Sequence, residues 1–238
     1  MGKQQTADST APRRHQRRVA MTGSTGFLGS LILENFLKDS DIVQVLCIAV
    51  PKADRHKLPT DSKISVYTGS LLSPSLGLSD SEVVFLQANV DQFVHAGAQG
   101  HCLNSYTSVR NANYLSTQFL AGIALPRKVP VHFISSGRVI LQSGACEAGP
   151  VSMAAHPPPV DGSQGFTSSK WASECFLEKM ARKTGLPVAI HRPCSIIGAR
   201  APHNDAMNSV IKYSLLSRTV PDVPNAGGFF GKLNFHPS

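Results

Sequence analysis

The sequence predicts an α/β protein built on a doubly wound parallel sheet, and three observations carry that expectation. Six short apolar runs of strand length alternate with segments of helical apolar spacing along the 238 residues. The first run gives way to a glycine-punctuated turn, Thr22-Gly-Ser-Thr-Gly-Phe-Leu-Gly29, that opens straight into a helical pattern. The run Ile42-Val-Gln-Val-Leu-Cys-Ile-Ala-Val50 is apolar nearly throughout, the pattern of a strand covered on both faces.

The first strand covers residues 19–21. Gly23 can take a backbone angle closed to other residues. Gly26 lets the backbone approach a pyrophosphate, and Gly29 lets the following helix (Phe27, Leu28, Leu31, Ile32, Phe36) sit close on the strand. The open amides of that helix N-terminus then face an anion. Thr-Gly-x-x-Gly-x-x-Gly between strand and helix reads as a dinucleotide-binding turn. Residues 42–50 form the second strand, followed by a basic polar loop with Lys52, Arg55, His56 and Lys57. Ile64-Ser-Val-Tyr67 alternates and stops at Gly69 as a third strand.

Ser79, with Glu82 three residues on, is a capping box for a helix to about residue 88. Gln92-Phe-Val-His95 is the fourth strand and ends in Ala96-Gly-Ala98. A long helix spans residues 105–125, stopped by Pro126, and residues 131–134 form a fifth strand ending in Ser135-Ser136. Residues 137–165 carry Pro150 and Pro157-Pro-Pro159, an irregular stretch of the kind that is functional or mobile. Helix resumes near Phe166 and ends at Gly185 as a C-capped helix should. Residues 187–190 are the sixth strand, and residues 205–216 a last modest helix.

Composition bounds the function. Hydrophobic residues make up 42% of the chain, the mean hydropathy is near zero, and no run approaches the ~20 apolar residues of a membrane span. The polar, basic N-terminus lacks the apolar core of a secretory signal. Cys47, Cys102, Cys146, Cys175 and Cys194 are scattered, with no Cys-x-x-Cys and no His-Glu-x-x-His. They read as reduced thiols of a cytoplasmic protein and imply no metal site. Residues 1–18 hold five cations against Asp8, which leaves +4, half of the formal +8. Residues 1–17 are therefore expected as a disordered basic leader, residues 18–199 as the dinucleotide-binding domain, and residues 200–238 as the remnant of a substrate subdomain. The mildly basic body suits phosphate-bearing ligands. Neither nucleic acid nor a membrane is the expected partner.

Ligands on such sheets bind beyond the carboxyl ends of the strands. Those ends are Thr22-Gly23, Val50-Pro51, Gly69-Ser70, His95-Ala-Gly97, Ser135-Ser136 and His191-Arg-Pro193. The candidate site is drawn from them and from the helix opening at Phe166. His95 at a strand end is more often a packed or solvated histidine than a functional one, and Trp171 reads as packing.

At these residues the sequence resembles the extended short-chain dehydrogenases. More closely, it resembles the terminal thioester-reductase domains of fungal polyketide–nonribosomal-peptide hybrid synthetases. The likeness is carried by the glycine turn, His95-Ala-Gly-Ala98, and Asn113 with Ser116-Thr117. It continues through Ala124-Leu-Pro-Arg-Lys-Val-Pro-Val-His-Phe-Ile-Ser-Ser136, Ser169-Lys-Trp-Ala-Ser-Glu174, and His191-Arg-Pro193 with Ile196 and Gly198. The resemblance implies a Rossmann-like fold with a truncated C-terminal substrate subdomain. It also implies an NADPH site and a substrate tethered as an acyl thioester to a carrier-protein phosphopantetheine. Carried over residue by residue, it assigns Ser136 and Lys170 to catalysis. To the cofactor it assigns Thr22, Gly23, Thr25, Gly26, Phe27, Leu28, Gly29, Lys52, His95, Ala96, Gly97, Lys170 and Pro193.

Three positions depart from the family pattern. The catalytic Tyr, four residues before Lys170, is Phe166, which has no proton to donate. Pro51 stands where an Arg grips the 2′-phosphate, leaving Lys52 as a point charge. Gly69-Ser-Leu71 replaces a Gly-Asp-Leu whose acid contacts the adenine. Three readings stay open: NADPH-dependent release of a carrier-bound thioester, redox-silent Dieckmann ring closure with Lys170 or His95 as base and Ser136 as donor, and a degenerate domain without catalysis.

Overall fold

Six parallel strands form one sheet in the order β3-β2-β1-β4-β5-β6. The computed structural model describes residues 16–100, 104–142, 151–157, 164–202 and 205–219. In chain order the strands are β1 (Arg17–Thr22), β2 (Ile42–Val50), β3 (Ile64–Thr68), β4 (Gln92–His95), β5 (Val131–Ile134) and β6 (Val188–His191). β1 is flanked by β2 on one side and β4 on the other. The winding therefore reverses beside it, and a crevice opens past its carboxyl end.

The apolar runs of β1, β2 and β4 are buried on both faces. On one side Val19, Met21, Val45, Cys47 and Val94 pack with Leu33 of α1 (Phe27–Lys38). On the other, Leu46, Ile48, Phe93 and Phe133 pack with Leu86, Leu120 and Leu177. Those three leucines come from α2 (Asp80–Asn89), α4 (Ser116–Ala124) and α6 (Gly165–Thr184). The capping box expected at α2 forms: the Glu82 amide donates to Ser79 Oγ, and Glu82 Oε2 accepts from the Ser79 amide. α6 ends at Gly185, left-handed at φ +71.

Local structure departs from the sequence expectation at three places. The basic loop after β2 winds into a 3₁₀ turn, Lys52–Lys57. The helix expected over residues 105–125 is broken into α3 (Tyr106–Arg110), a π turn (Asn111–Leu115), α4 and a 3₁₀ turn (Leu125–Arg127). At the π turn the Asn113 side chain bonds both the amide and the carbonyl of Gln99, at 2.7 and 2.9 Å, and donates to Ser169 Oγ at 2.8 Å. A buried amide so fully satisfied offsets the less favourable helical winding. Inside the expected irregular stretch lies a short helix, α5 (Arg138–Gln142), and residues 151–157 are fastened to α6 through Ser152 and Met153, both bonded to Glu178. α6 begins at Gly165, a position closed to any side chain because a Cβ there would lie 2.2 Å from the Asn104 carbonyl oxygen.

α7 (Ala206–Ser217) is capped by Asp205, which accepts from the Asn208 amide. No described helix is long and apolar enough to cross a membrane. The basic leader up to residue 15, the rest of the irregular stretch and residues 220–238 of the expected substrate subdomain lie outside the described residues.

Candidate active site

The crevice beside β1 is a cleft of about 400 Å³. Its floor is the glycine turn. Gly23 sits at φ +75, and a Cβ on it would lie 2.5 Å from the Gly97 amide nitrogen. Gly29 is tighter still, because its Cβ would meet the Gly23 carbonyl oxygen at 1.9 Å. Gly26 is less constrained: a Cβ there would meet only Gly23 O, at 3.3 Å. It caps α1 without any side-chain bond, which leaves the first-turn amides facing the cleft. The far wall is the end of β2, where Ala49 is left-handed at φ +57, together with Pro51, Ser70 and Leu71.

Beneath the turn, His95 is buried between β1 and the π turn. Thr22 Oγ1 lies 2.6 Å from its Nδ1 and Ser116 Oγ 3.1 Å from its Nε2. Ser116 gives its one proton to the Ala112 carbonyl at 2.6 Å. His95 Nε2–H therefore donates to Ser116, and Nδ1 accepts from the Thr22 hydroxyl. Thr22 Oγ1 in turn accepts from the Gly97 amide at 3.1 Å. Burial, and secondarily the charge of Lys170, push the His95 pKa down to about 3. It is a neutral, fully bonded imidazole.

Lys170 is 2% exposed. Its Nζ donates to the Ile134 carbonyl at 2.7 Å and lies 4.6 Å from the Phe133 ring centroid and 5.7 Å from that of Phe166. Burial lowers its pKa to about 7, with Glu174 opposing. Ser136 follows two residues after the carbonyl that holds Lys170, and its Oγ accepts from the Arg138 amide at 3.3 Å. The Phe166 ring covers Gly100, whose Cβ would meet it at 3.2 Å. One helical turn beyond Lys170, buried Glu174 accepts from Arg192 Nε and Nη2, at 3.1 and 2.7 Å, which joins α6 to the end of β6.

Residues 21–226 match the NAD-binding family described as male sterility protein. The chain belongs to that family. The hybrid PKS-NRPS synthetase apdA of Emericella nidulans is 50% identical over 94% of this chain. The cyclo-acetoacetyl-L-tryptophan synthase of Aspergillus oryzae is 48% identical over 89%. Among solved structures, the terminal R domain from the myxalamid PKS-NRPS biosynthetic pathway matches with a TM-score of 0.69 and 28% identity over 87% of this chain. The chain spans 6% and 5% of the length of the two synthetases and 58% of the R-domain chain.

A male sterility-type domain carries a nicotinamide dinucleotide, and the cleft can be tested for it. The glycine cradle and the uncapped α1 fit a pyrophosphate, with Gly23, Thr25, Gly26, Phe27, Leu28, Gly29, Ala96 and Gly97 on its walls. The adenosine end offers Pro51 and Ser70 in place of a charged fork, and Lys52 stands exposed outside the lining. Thr22 and His95 lie under the cradle and shape it from below. Lys170, Ser136 and Pro193 group past its edge, where the Gly137 amide donates to the Pro193 carbonyl at 2.9 Å. Sequence reasoning missed Ala49, Gln99 and Ala112, which also line the cleft. Strand-end position points to Ala49; no sequence signal singles out the other two.

Proposed function

We propose that this chain releases a carrier-bound β-ketoacyl-aminoacyl thioester by redox-silent ring closure. The observation that carries the reading is the pairing of Phe166 with Lys170: a buried amine poised near neutrality beside a ring with no proton to give. Neutral Lys170 Nζ takes the acidic proton from the carbon between the ketone and amide carbonyls. The enolate carbon attacks the thioester carbonyl, and the Ser136 hydroxyl donates to the oxyanion that forms. Collapse of the tetrahedral centre expels the phosphopantetheine thiolate, which recovers a proton from the Lys170 ammonium. No electrons enter or leave. His95 is not the base in this scheme, because both ring nitrogens are engaged and protonation is strongly disfavoured.

The kinship with a synthase named for a cyclo-acetoacetyl-L-tryptophan product supports a cyclised outcome. A second reading, hydride release of the thioester as aldehyde or alcohol, is favoured by the open glycine cradle. A bound nicotinamide supplies the hydride there. NADPH and NADH are then nearly equivalent, since Pro51 and Ser70 give the 2′-phosphate no bidentate partner.

The test presents one β-ketoacyl-aminoacyl thioester to the chain with and without NADPH. Cyclised product without cofactor is expected. Reduced product formed only with NADPH would establish the second reading, and neither product from folded protein would leave a non-catalytic domain.

A further inference from the structure

The segment after β6, residues 193–202, crosses from the Ser136–Gly137 turn to the opening of α1. At its start the Pro193 carbonyl accepts from the Gly137 amide at 2.9 Å, and Cys194 Sγ occupies the space beside Gly137, 2.9 Å from where a Cβ would stand. At its far end Arg200 pairs with Glu34 of α1. Between them Gly198 rests against the Phe27 ring, its Cβ position 3.8 Å from the ring edge, and Phe27 lines the dinucleotide cleft. This strap therefore touches both the chemistry turn and the cofactor cleft.

One side chain holds its middle. Asn208, in the first turn of α7, donates from Nδ2 to the Ile196 carbonyl at 3.1 Å and accepts at Oδ1 from the Gly198 amide at 2.9 Å. It reads the strap as a neighbouring strand would, taking one carbonyl and one amide two residues apart. Asp205 fixes the amide in turn: its Oδ1 accepts from the Asn208 backbone N–H at 2.8 Å and from Nδ2 at 2.6 Å. The side-chain orientation is thereby tied to the helix N-cap itself.

We infer that Asn208 is a positioning residue: it locks the strap to α7 and thereby sets the Ser136–Gly137 turn against the cleft. The N-cap adds a tie at the far end of the strap, where the Asp205 amide donates to the Pro202 carbonyl at 3.0 Å. Ile197 and Gly198 share a groove with Ile211, Leu215 and other residues of α7. A shift of that helix is thus delivered through Asn208 to the turn bearing Ser136. The locking is independent of the proposed ring closure; its effect on turnover rests on that reading.

Hydrogen exchange of the full chain tests the locking directly. In Asn208→Ala, exchange should quicken at the Gly198 amide, whose acceptor is removed, and also at the remote Gly137 amide, by roughly tenfold or more as the strap opens locally. Asn208→Ser, which keeps a hydroxyl beside Asp205, guards against a variant that fails to fold. In the thioester assay Asn208→Ala should lower kcat about tenfold with KM within about twofold, as a misplaced donor does. In a double-mutant cycle its effect should be non-additive with Arg200→Ala, since both fasten one strap. Unchanged Gly137 exchange with Gly198 exposed would reduce Asn208 to a local cap and overturn the inference. Faster Gly137 exchange from a chain that forms no cyclised product would uphold the strap and defeat only the ring-closure reading.

Discussion

Thr22 Oγ1 and His95 Nδ1 lie 2.6 Å apart across the ends of β1 and β4, and with the Gly97 amide they form the underside of the glycine cradle. The bond ties the two strand ends together where they pack so closely that a Cβ on Gly23 would lie 2.5 Å from the Gly97 amide nitrogen. Its cost is a histidine whose protonation in place is strongly disfavoured.

Acid stability follows from it. His95 titrates at 6.5 when unfolded and at about 3 when folded, so below 6.5 the unfolded chain binds a proton the native state refuses. Stability should fall by up to about 1.4 kcal/mol per pH unit as pH drops through that window. Urea unfolding midpoints of the wild type and His95→Ala, compared from neutral to acid pH, check this. The variant should start about 3 kcal/mol less stable, from lost packing and bonds, with a shallower acid slope.

Two glycines of the turn should behave differently on substitution. Gly29→Ala drives a Cβ into the Gly23 carbonyl and should cost about 3 kcal/mol, read as a lower melting temperature. Gly26→Val should cost only about 1 kcal/mol, from the 3.3 Å contact with Gly23 O and a poorer N-cap, while abolishing dinucleotide binding by calorimetry, because its side chain fills the pyrophosphate approach. Equal melting losses in both variants would count against the assignment.

The proton transfer gives a pH profile. With the Lys170 pKa near 7, ring closure should rise as the amine is freed through that pH and level off above it. Lys170→Ala and Ser136→Ala should each lower the rate about 10²–10⁴-fold. Phe166→Tyr should leave ring closure largely unchanged and raise NADPH-dependent reduction of a model acyl thioester. A profile flat across neutrality would remove Lys170 as base.

Cofactor discrimination is the fourth test. NADPH should bind weakly, within a few-fold of NADH, and Pro51→Arg should favour NADPH by about tenfold by restoring a fork for the 2′-phosphate. Strong wild-type preference for NADPH in calorimetry would show that other cations, such as Lys52 or Arg55, reach the site.

The parallel sheet, the glycine turn, the capping box at Ser79 and the missing phenol at residue 166 are all legible in the sequence. Each is a local pattern: apolar runs, fixed glycine spacing, one residue type at one register position. Tertiary structure decided what those residues are chemically. Whether His95 is a base depended on Thr22, 73 residues away, and on Ser116, 21 residues away. Lys170 owes its lowered pKa to burial beside the Phe133 ring, and it is held there by the Ile134 carbonyl, 36 residues distant. The π turn was invisible in a helical pattern because its cause, the grip of Asn113 on Gln99 and Ser169, lies outside the helix. Periodicity records which face of an element is apolar. Desolvation, tautomer and close approach arise where distant elements meet, and only the folded chain brings them together.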